Sequence, residues 1–396
     1  MSHLKFYTAG ESHGQALIGI LEGMPANVDI SVDAINHELH RRQQGYGRGG
    51  RMRIEKDQAN ILSGMRFGKT LGGPISLMIE NRDWKNWKTK MAIEGSPNNA
   101  NPVHVARPGH VDLAGAIKYK QDDIRNLLER ASARETTTRV ALGAIAKQFL
   151  AHLGVGIASH VLQMVDARAR QSLIDYGKPE WHIELDRLNE IADKSPVRCL
   201  DPDAESAMIS LIDQAKKERD TVGGIFEVVA YNLPIGLGSH VHWDRKLDAR
   251  IAGAMMSIQA IKGVEIGDGI GGACRFGSQV HDEIYYDAGK SAYYRKQNNA
   301  GGLEAGITNG MPLVVRAAMK PISTLMRPLD SVDIHSKKAT PAHRERSDVC
   351  AVPAASIVGE AMLALVLADA FLEKFGGDSY EEIAERIANW RQHEMQ

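Results

Sequence analysis

The chain has 396 residues, with 48 Lys and Arg against 49 Asp and Glu, a formal net charge of −1 and 43% hydrophobic residues. That balance excludes the bulk basic excess of a nucleic-acid or membrane coat, so clusters of positive charge must be read as local features. Cys199, Cys274 and Cys350 form no CxxC pair, which argues for a reducing compartment and against a zinc framework.

In chain order, "ALIGIL" (16–21) reads as a strand. Ser31 is placed to cap a helix over 31–42 that turns Val32, Ile35 and Leu39 inward and ends in Arg41 and Arg42. "PISLMIE" (74–80) reads as a second strand, and the polar stretch 81–104 as a long surface excursion. A helix over 133–153 aligns Leu142, Ile145, Ala146, Phe149, Leu150 and Leu153, with Ser132 and Glu135 at capping-box spacing. Helices over 202–217 and 245–262 flank the strand "GIFEVVAY" (224–231), and "MPLVVRAAM" (311–319) is a further strand. A helix runs from near Pro353 to Gly376–Gly377, and a last one spans 379–392. The apolar run 361–368 is too short to cross a bilayer. The N-terminus lacks a signal-peptide core, so we expect a cytoplasmic protein. Strands and helices mix without a βαβ rhythm or a linker, which predicts one α+β domain over 1–396.

Five stretches carry chemistry. "HRRQQGYGRGGRMR" (40–53) sets Arg41, Arg42, Arg48, Arg51 and Arg53 among glycines. Arg41 fits a cation at a helix C-terminus. The later arginines fit better as bidentate grips on an anion that a glycine-rich backbone lets come close. An RGG-type RNA contact is the alternative. "LERASARETTTR" (128–139) puts Arg130, Arg134 and Arg139 at a helix start, an anion site or a plain cap with surface arginines. His13 in "GESHG" and His110 in "RPGHVD" sit on glycine-flanked loops, as acid–base groups or as exposed histidines, without metal-ligand spacing. Asp348 in "RERSDVCAVP" precedes a Pro-started helix, a position that also suits a dipole role. "GDGIGG" (267–272) matches GxGxxG, but no helix is expected after it, so a dinucleotide site is rejected.

Together "GESHG", "GRGGRM", "RPGHVDLAGAIKY", "ERASARETTTRVALGAIAK", "AIKGVEIGDG", "NNAGG", "MKPISTL" and "RSDVCAVPAASIVGEAM" resemble the signature segments of the chorismate synthase family, in its order, from residue 10 to 362. The resemblance implies a β-α-β sandwich with helices between antiparallel sheets, assembled as a homotetramer. It implies conversion of 5-enolpyruvylshikimate 3-phosphate to chorismate by anti-1,4-elimination, with reduced FMN and no net redox change. The partners would be a small-molecule substrate, with no nucleic acid and no membrane. Some members also reduce their flavin with NADPH. By position, His13 would protonate the departing phosphate, His110 would stabilise charge at flavin N1, and Asp348 would assist proton uptake at N5. Arg42, Arg48 and Arg134 would clamp the substrate, its phosphate or NADP. Flavin contacts would come from Arg130, Ala131, Ser132, Gln259, Ala260 and Ala305, and from Lys320, Pro321, Ile322, Ser323, Thr324 and Arg346. No metal is implied. A flavin-independent phosphate-ester enzyme would use the same two histidines.

Overall fold

A computed structural model describes residues 3–50, 54–96, 100–176, 181–289, 291–345 and 347–394. Two antiparallel sheets enclose the core. The first runs in the order Lys5–Ala9, Ala16–Glu22, Ile75–Glu80, Asn60–Ser63. The second runs Ile261–Ile266, Leu313–Met319, Gly224–Tyr231, Gly156–Met164, Ala167–Arg168. Alternation decides which face of the first sheet is buried: Leu17, Leu21, Ile75, Leu77 and Ile79 all point inward. The strand Gly224–Tyr231 is apolar apart from Glu227 and Tyr231, because both its faces are covered. Phe226, Val228 and Ala230 join the main core, and Val229 packs on the other side with Ala158, Leu173 and Val314.

Helix Thr136–His152 packs on the first sheet and helix Val352–Phe375 on the second, and the two helices pack on each other. The α+β sandwich with helices between antiparallel sheets is therefore observed. Close approach is set by glycine. A Cβ on Gly143 would lie 2.4 Å from Ala361 Cβ, and one on Gly359 would lie 2.7 Å from the Phe226 ring. Helix Val352–Phe375 is 24 residues long and apolar enough to cross a membrane, yet 94% of its most apolar stretch is buried in the fold. It is a core helix.

One carboxylate sits within that helix. Glu360 is fully buried and accepts from Arg41 Nη1 and Nη2 at 3.0 Å, Lys147 Nζ at 2.6 Å and Ser159 Oγ at 2.6 Å. Burial works against its charge, but Arg41 and Lys147 prevail and hold it well below the usual carboxylate range. Arg41 also pairs with Glu38 and Asp193. It sits in the last turn of its helix, as the sequence placed it, and its charge is buried and structural.

Other expectations need correction. The helix expected over 245–262 ends at Met256, and Ile261–Ile266 is a strand. Ala260 between them adopts φ +67°, a left-handed conformation that no helix can continue through. Val32 is exposed, whereas Ile35 and Leu39 are buried. Ser132 caps only a three-residue turn by accepting from Arg134 N, and the Glu135 carboxylate reaches Arg139 and Thr8 instead of closing a capping box. "GDGIGG" itself contains the four-residue helix Gly269–Gly272, and another of four residues, Gly277–Val280, follows it.

Candidate active site

The turn between the first two strands presents His13. Ser12 N donates to Glu129 O at 3.0 Å and His13 N to Glu129 Oε2 at 2.8 Å, so helix Arg125–Ala131 holds the turn. His13 Nδ1 lies 2.9 Å from both oxygens of the buried Glu129 carboxylate. An ionised carboxylate only accepts, so Nδ1 carries the hydrogen. No described residue bonds Nε2. The imidazole stacks on Trp87, ring centroids 3.8 Å apart and 22° from parallel. Trp87 belongs to the stretch expected as a surface excursion. The first part of that stretch is tied down, with Asn81 and Asp83 buried.

His110 is anchored in the same way. Its Nδ1 lies 2.5 Å from Asp112 Oδ1, and Asp112 Oδ2 accepts from Arg107 Nε at 2.8 Å. Burial opposes the Asp112 charge, but the hydrogen bonds from His110 and Arg107 hold its carboxyl well below the ordinary range. Arg107 Nη1 donates to Thr324 Oγ1 at 2.9 Å. A Cβ on Gly109 would fall 3.6 Å from Ser323 Cβ and 3.7 Å from Lys320 Nζ. The segment 320–324 therefore lines the His110 loop, and Thr221 Oγ1 donates to Ile322 O at its far side. Burial and Lys262 lower the Lys320 ammonium.

From Lys320 the rim continues by hydrogen bonds. Lys320 N donates to Ala260 O at 2.9 Å, Gln259 Nε2 to Glu135 Oε2 at 3.1 Å, and Thr8 Oγ1 to Glu135 Oε1 at 2.7 Å. Arg130 Nη2 donates to Thr8 O at 2.8 Å. Arg130, Ala131, Ser132, Gln259, Ala260 and residues 320–324 thus follow one connected edge that also reaches His110. Ala305 does not join it. Its hairpin, Leu303–Glu304 with Ile307–Thr308, packs at the start of helix Leu247–Met256, whose other end leads to Gln259. Ten residues of helix put the two ends ~15 Å apart. Arg346, Arg51 and Arg53 lie outside the described residues.

The arginines meet where the two histidine arms converge. Arg134 Nη1 grips Asp57 at 2.6 and 2.8 Å, and its Nε donates to Asn81 Oδ1 at 3.0 Å. Arg42 Nε donates to Thr136 Oγ1 at 3.0 Å and Nη2 to Ala133 O at 2.8 Å. Burial pushes Arg42 down to about 9, Asp57 opposes this, and the Arg48 and Arg134 cations reinforce it. Asp348 Oδ2 pairs with Arg48 Nη1 at 2.9 Å, and Oδ1 accepts from Gly49 N at 2.6 Å. That carboxylate pins the arginine loop and does not cap the following helix. Glu345 lies 3.9 Å from Arg107 and 3.5 Å from Arg125, which also bonds Glu129, so it joins the two histidine arms.

Several buried polar atoms here lack a hydrogen-bond partner among the described residues: Arg42 Nη1, Arg125 Nε, Arg134 Nη2 and Gln259 Oε1. Leaving such groups bare costs ~1–3 kcal/mol each, more when charged. The three guanidinium nitrogens suit an anion with several oxygens, whereas Gln259 Oε1 is an acceptor and suits a donor. Among the described residues no group of three or more His, Cys, Asp or Glu is arranged to hold a metal ion.

The sequence reading named both histidines, Asp348 and the arginines, but missed the groups that hold them: Glu129, Arg107, Asp112, Arg125, Glu345, Asp57 and Trp87. Arg107 and Asp112 lay inside a quoted motif. Two tryptophans in the otherwise polar segment "RDWKNWK" were the available signal for Trp87.

The family model described as Chorismate synthase matches residues 4–372. A chorismate synthase of Aquifex aeolicus is 57% identical over 397 residues, covering 99% of this chain and 98% of its own length. One from Geobacter sulfurreducens is 56% identical, covering 96% of each. A solved chorismate synthase crystal structure superposes with a TM-score of 0.78 at 48% identity, over 98% of both chains. With its sandwich of antiparallel sheets around paired helices and its two carboxylate-anchored histidines near buried arginines, the chain belongs to the chorismate synthase family, a family of lyases.

Proposed function

We propose that the protein converts 5-enolpyruvylshikimate 3-phosphate to chorismate and phosphate by anti-1,4-elimination, with reduced FMN as cofactor. The observation that carries this reading is that the buried Arg42, Arg125 and Arg134 each keep a guanidinium nitrogen with no hydrogen bond among the described residues, Arg125 doing so beside the Glu129 that anchors His13. A substrate with one phosphate and two carboxylates, beside a flavin phosphate, supplies acceptors for those nitrogens.

Arg42, Arg48 and Arg134 hold the substrate phosphate and carboxylates, and the same donors suit the phosphates of NADP. His13 keeps Nδ1–H on Glu129, so Nε2 delivers the proton to the departing phosphate oxygen. The arginines stabilise negative charge as it builds on that oxygen. The rim of Arg130, Ala131, Ser132, Gln259, Ala260 and residues 320–324 fits a large hydrogen-bonding cofactor, and Gln259 Oε1, which makes no hydrogen bond among the described residues, offers it an acceptor. When bound, reduced FMN would supply electron density to the substrate ring and an acceptor for the hydrogen of carbon 6. His110 keeps Nδ1 on Asp112 and offers Nε2 to the negative edge of the flavin at N1. Asp348 is assigned to proton handling at flavin N5, and its pairing with Arg48 ties that step to the substrate clamp. We read the enzyme as a cytoplasmic homotetramer that takes no nucleic acid or membrane as partner.

The test is an anaerobic assay with 5-enolpyruvylshikimate 3-phosphate. Chorismate and phosphate form together only when reduced FMN is added. Phosphate release without flavin would support the flavin-independent phosphate-ester reading instead.

A further inference from the structure

Four contacts close a ring around His13. The imidazole stacks on the Trp87 indole at 3.8 Å. Its Nδ1 meets the Glu129 carboxylate at 2.9 Å. Glu129 accepts from Arg125 Nη1 at 3.2 Å. The Arg125 guanidinium then lies 5.2 Å from the Trp87 ring centroid, closing the circuit by a cation–π contact. The indole is itself fixed. Trp87 Nε1 donates to Asp83 Oδ2 at 3.1 Å, Asn86 Nδ2 donates to Asp83 Oδ1 at 2.7 Å, and Asp83 is buried. Lys90 Nζ, 5.0 Å from the Trp87 ring centroid, is the other cation on the indole.

A single hydrogen bond at Nδ1 leaves an imidazole free to swing about that bond. A stacked indole removes this freedom and fixes the direction of Nε2. An electron-rich ring face also favours the protonated imidazole over the neutral one. Both effects serve a group that must present a proton along one line.

We propose that Trp87 is a positioning residue for His13, holding the imidazole so that Nε2 delivers its proton to the leaving phosphate. This rests on the reading of His13 given above. Trp87 touches His13 and acts through it.

The experiment compares Trp87→Ala and Trp87→Phe with the wild type in three measurements. The first is tryptophan fluorescence against pH in the resting enzyme. A protonated imidazole quenches a stacked indole, so emission rises as His13 loses its proton. That component should disappear in Trp87→Phe and also in His13→Ala. The second is substrate affinity, which should stay within about threefold in both Trp87 variants. The third is the single-turnover rate with reduced FMN. It should fall roughly 10- to 100-fold in Trp87→Ala, within the range of a general acid, and recover to within a few-fold in Trp87→Phe, where a stacking ring remains. A normal single-turnover rate in Trp87→Ala overturns the proposal. So does an equal loss in both variants, because that means packing and not stacking. Failure of the wild type to turn over the substrate would refute the proposed reaction, while the fluorescence titration still tests the stack.

Discussion

Arg42 is the residue where stability and binding should pull apart. Its replacement by methionine removes two hydrogen bonds, to Thr136 Oγ1 and Ala133 O. Neither leaves an orphan, because Thr136 Oγ1 also donates to Ala133 O at 2.6 Å. Asp57 keeps its grip on Arg134 at 2.6 Å, whereas its oxygen lies 3.9 Å from Arg42. What disappears is a buried cation that burial and two neighbouring arginines push down to about 9. Exchanging an under-compensated buried charge for an apolar side chain of similar length is neutral or stabilising by ~1–4 kcal/mol. The ligand-free Arg42→Met protein should therefore resist urea at least as well as the wild type. Substrate should behave oppositely. At 100 times its dissociation constant it stabilises the wild type by ~2.7 kcal/mol. Losing a charge-assisted contact costs ~1.5–3 kcal/mol, roughly ten- to a hundredfold in affinity. At the same concentration the variant would then gain only ~0.4–1.4 kcal/mol. Urea unfolding with and without 5-enolpyruvylshikimate 3-phosphate measures both quantities. A ligand-free variant weaker than the wild type by more than ~1 kcal/mol, beyond the usual surface scatter, would refute the reasoning. So would an unchanged ligand increment.

Asp348→Asn keeps an acceptor for Gly49 N but loses the charge opposite Arg48; turnover should fall ~10²–10⁴-fold with flavin affinity little changed, and near-normal turnover with a lowered melting temperature would leave Asp348 only its pinning role. Glu360→Gln strands Arg41, Lys147 and Arg198 around a neutral group; denaturant unfolding should show a loss of ~3–5 kcal/mol, and a loss below ~1 would mean the remaining acids compensate. Glu227 is held at about 2, below its ordinary 4.5, because His160 and Arg316 outweigh the burial that opposes its charge. A depressed carboxyl stabilises the fold above 4.5 and loses that contribution as pH falls through about 2. Unfolding between pH 5 and 2 should therefore steepen in the wild type and flatten in Glu227→Gln.

The sequence disclosed elements wherever local chemistry was sufficient. "GIFEVVAY" forms the strand its short β-like run implied, and Ser31, Pro353 and Gly376 mark real helix ends. The strand Gly156–Met164 escaped because Ser159 and His160 interrupt its pattern. Their buried partners, Glu360 and Glu227, lie 201 and 67 residues away. The site shows the same division. Loop glycines, histidines and Asp348 announce themselves, but the pairings that orient them across long stretches of chain do not. Glu129 is 116 residues from His13, and Asp348 is 299 from Gly49. Only the folded chain brings such pairs together, so no window of sequence displays them.

Arg41 and Arg42 are neighbours on one helical turn, yet they face opposite ways. Arg41 enters the core against Glu38, Asp193 and Glu360, and Arg42 enters the cleft beside Arg48 and Arg134. A library of variants at these two adjacent positions would therefore sort by different phenotypes. Changes at 41 would be read first as cellular abundance, since the three acids that Arg41 gathers cannot be neutralised by a shorter or uncharged side chain. Changes at 42 would leave abundance intact and appear only as a growth requirement for the reaction product. The helix can also neither rotate nor slip by one residue, because every such move exchanges the cation paired with Glu360 for the one beside Arg48 and Arg134.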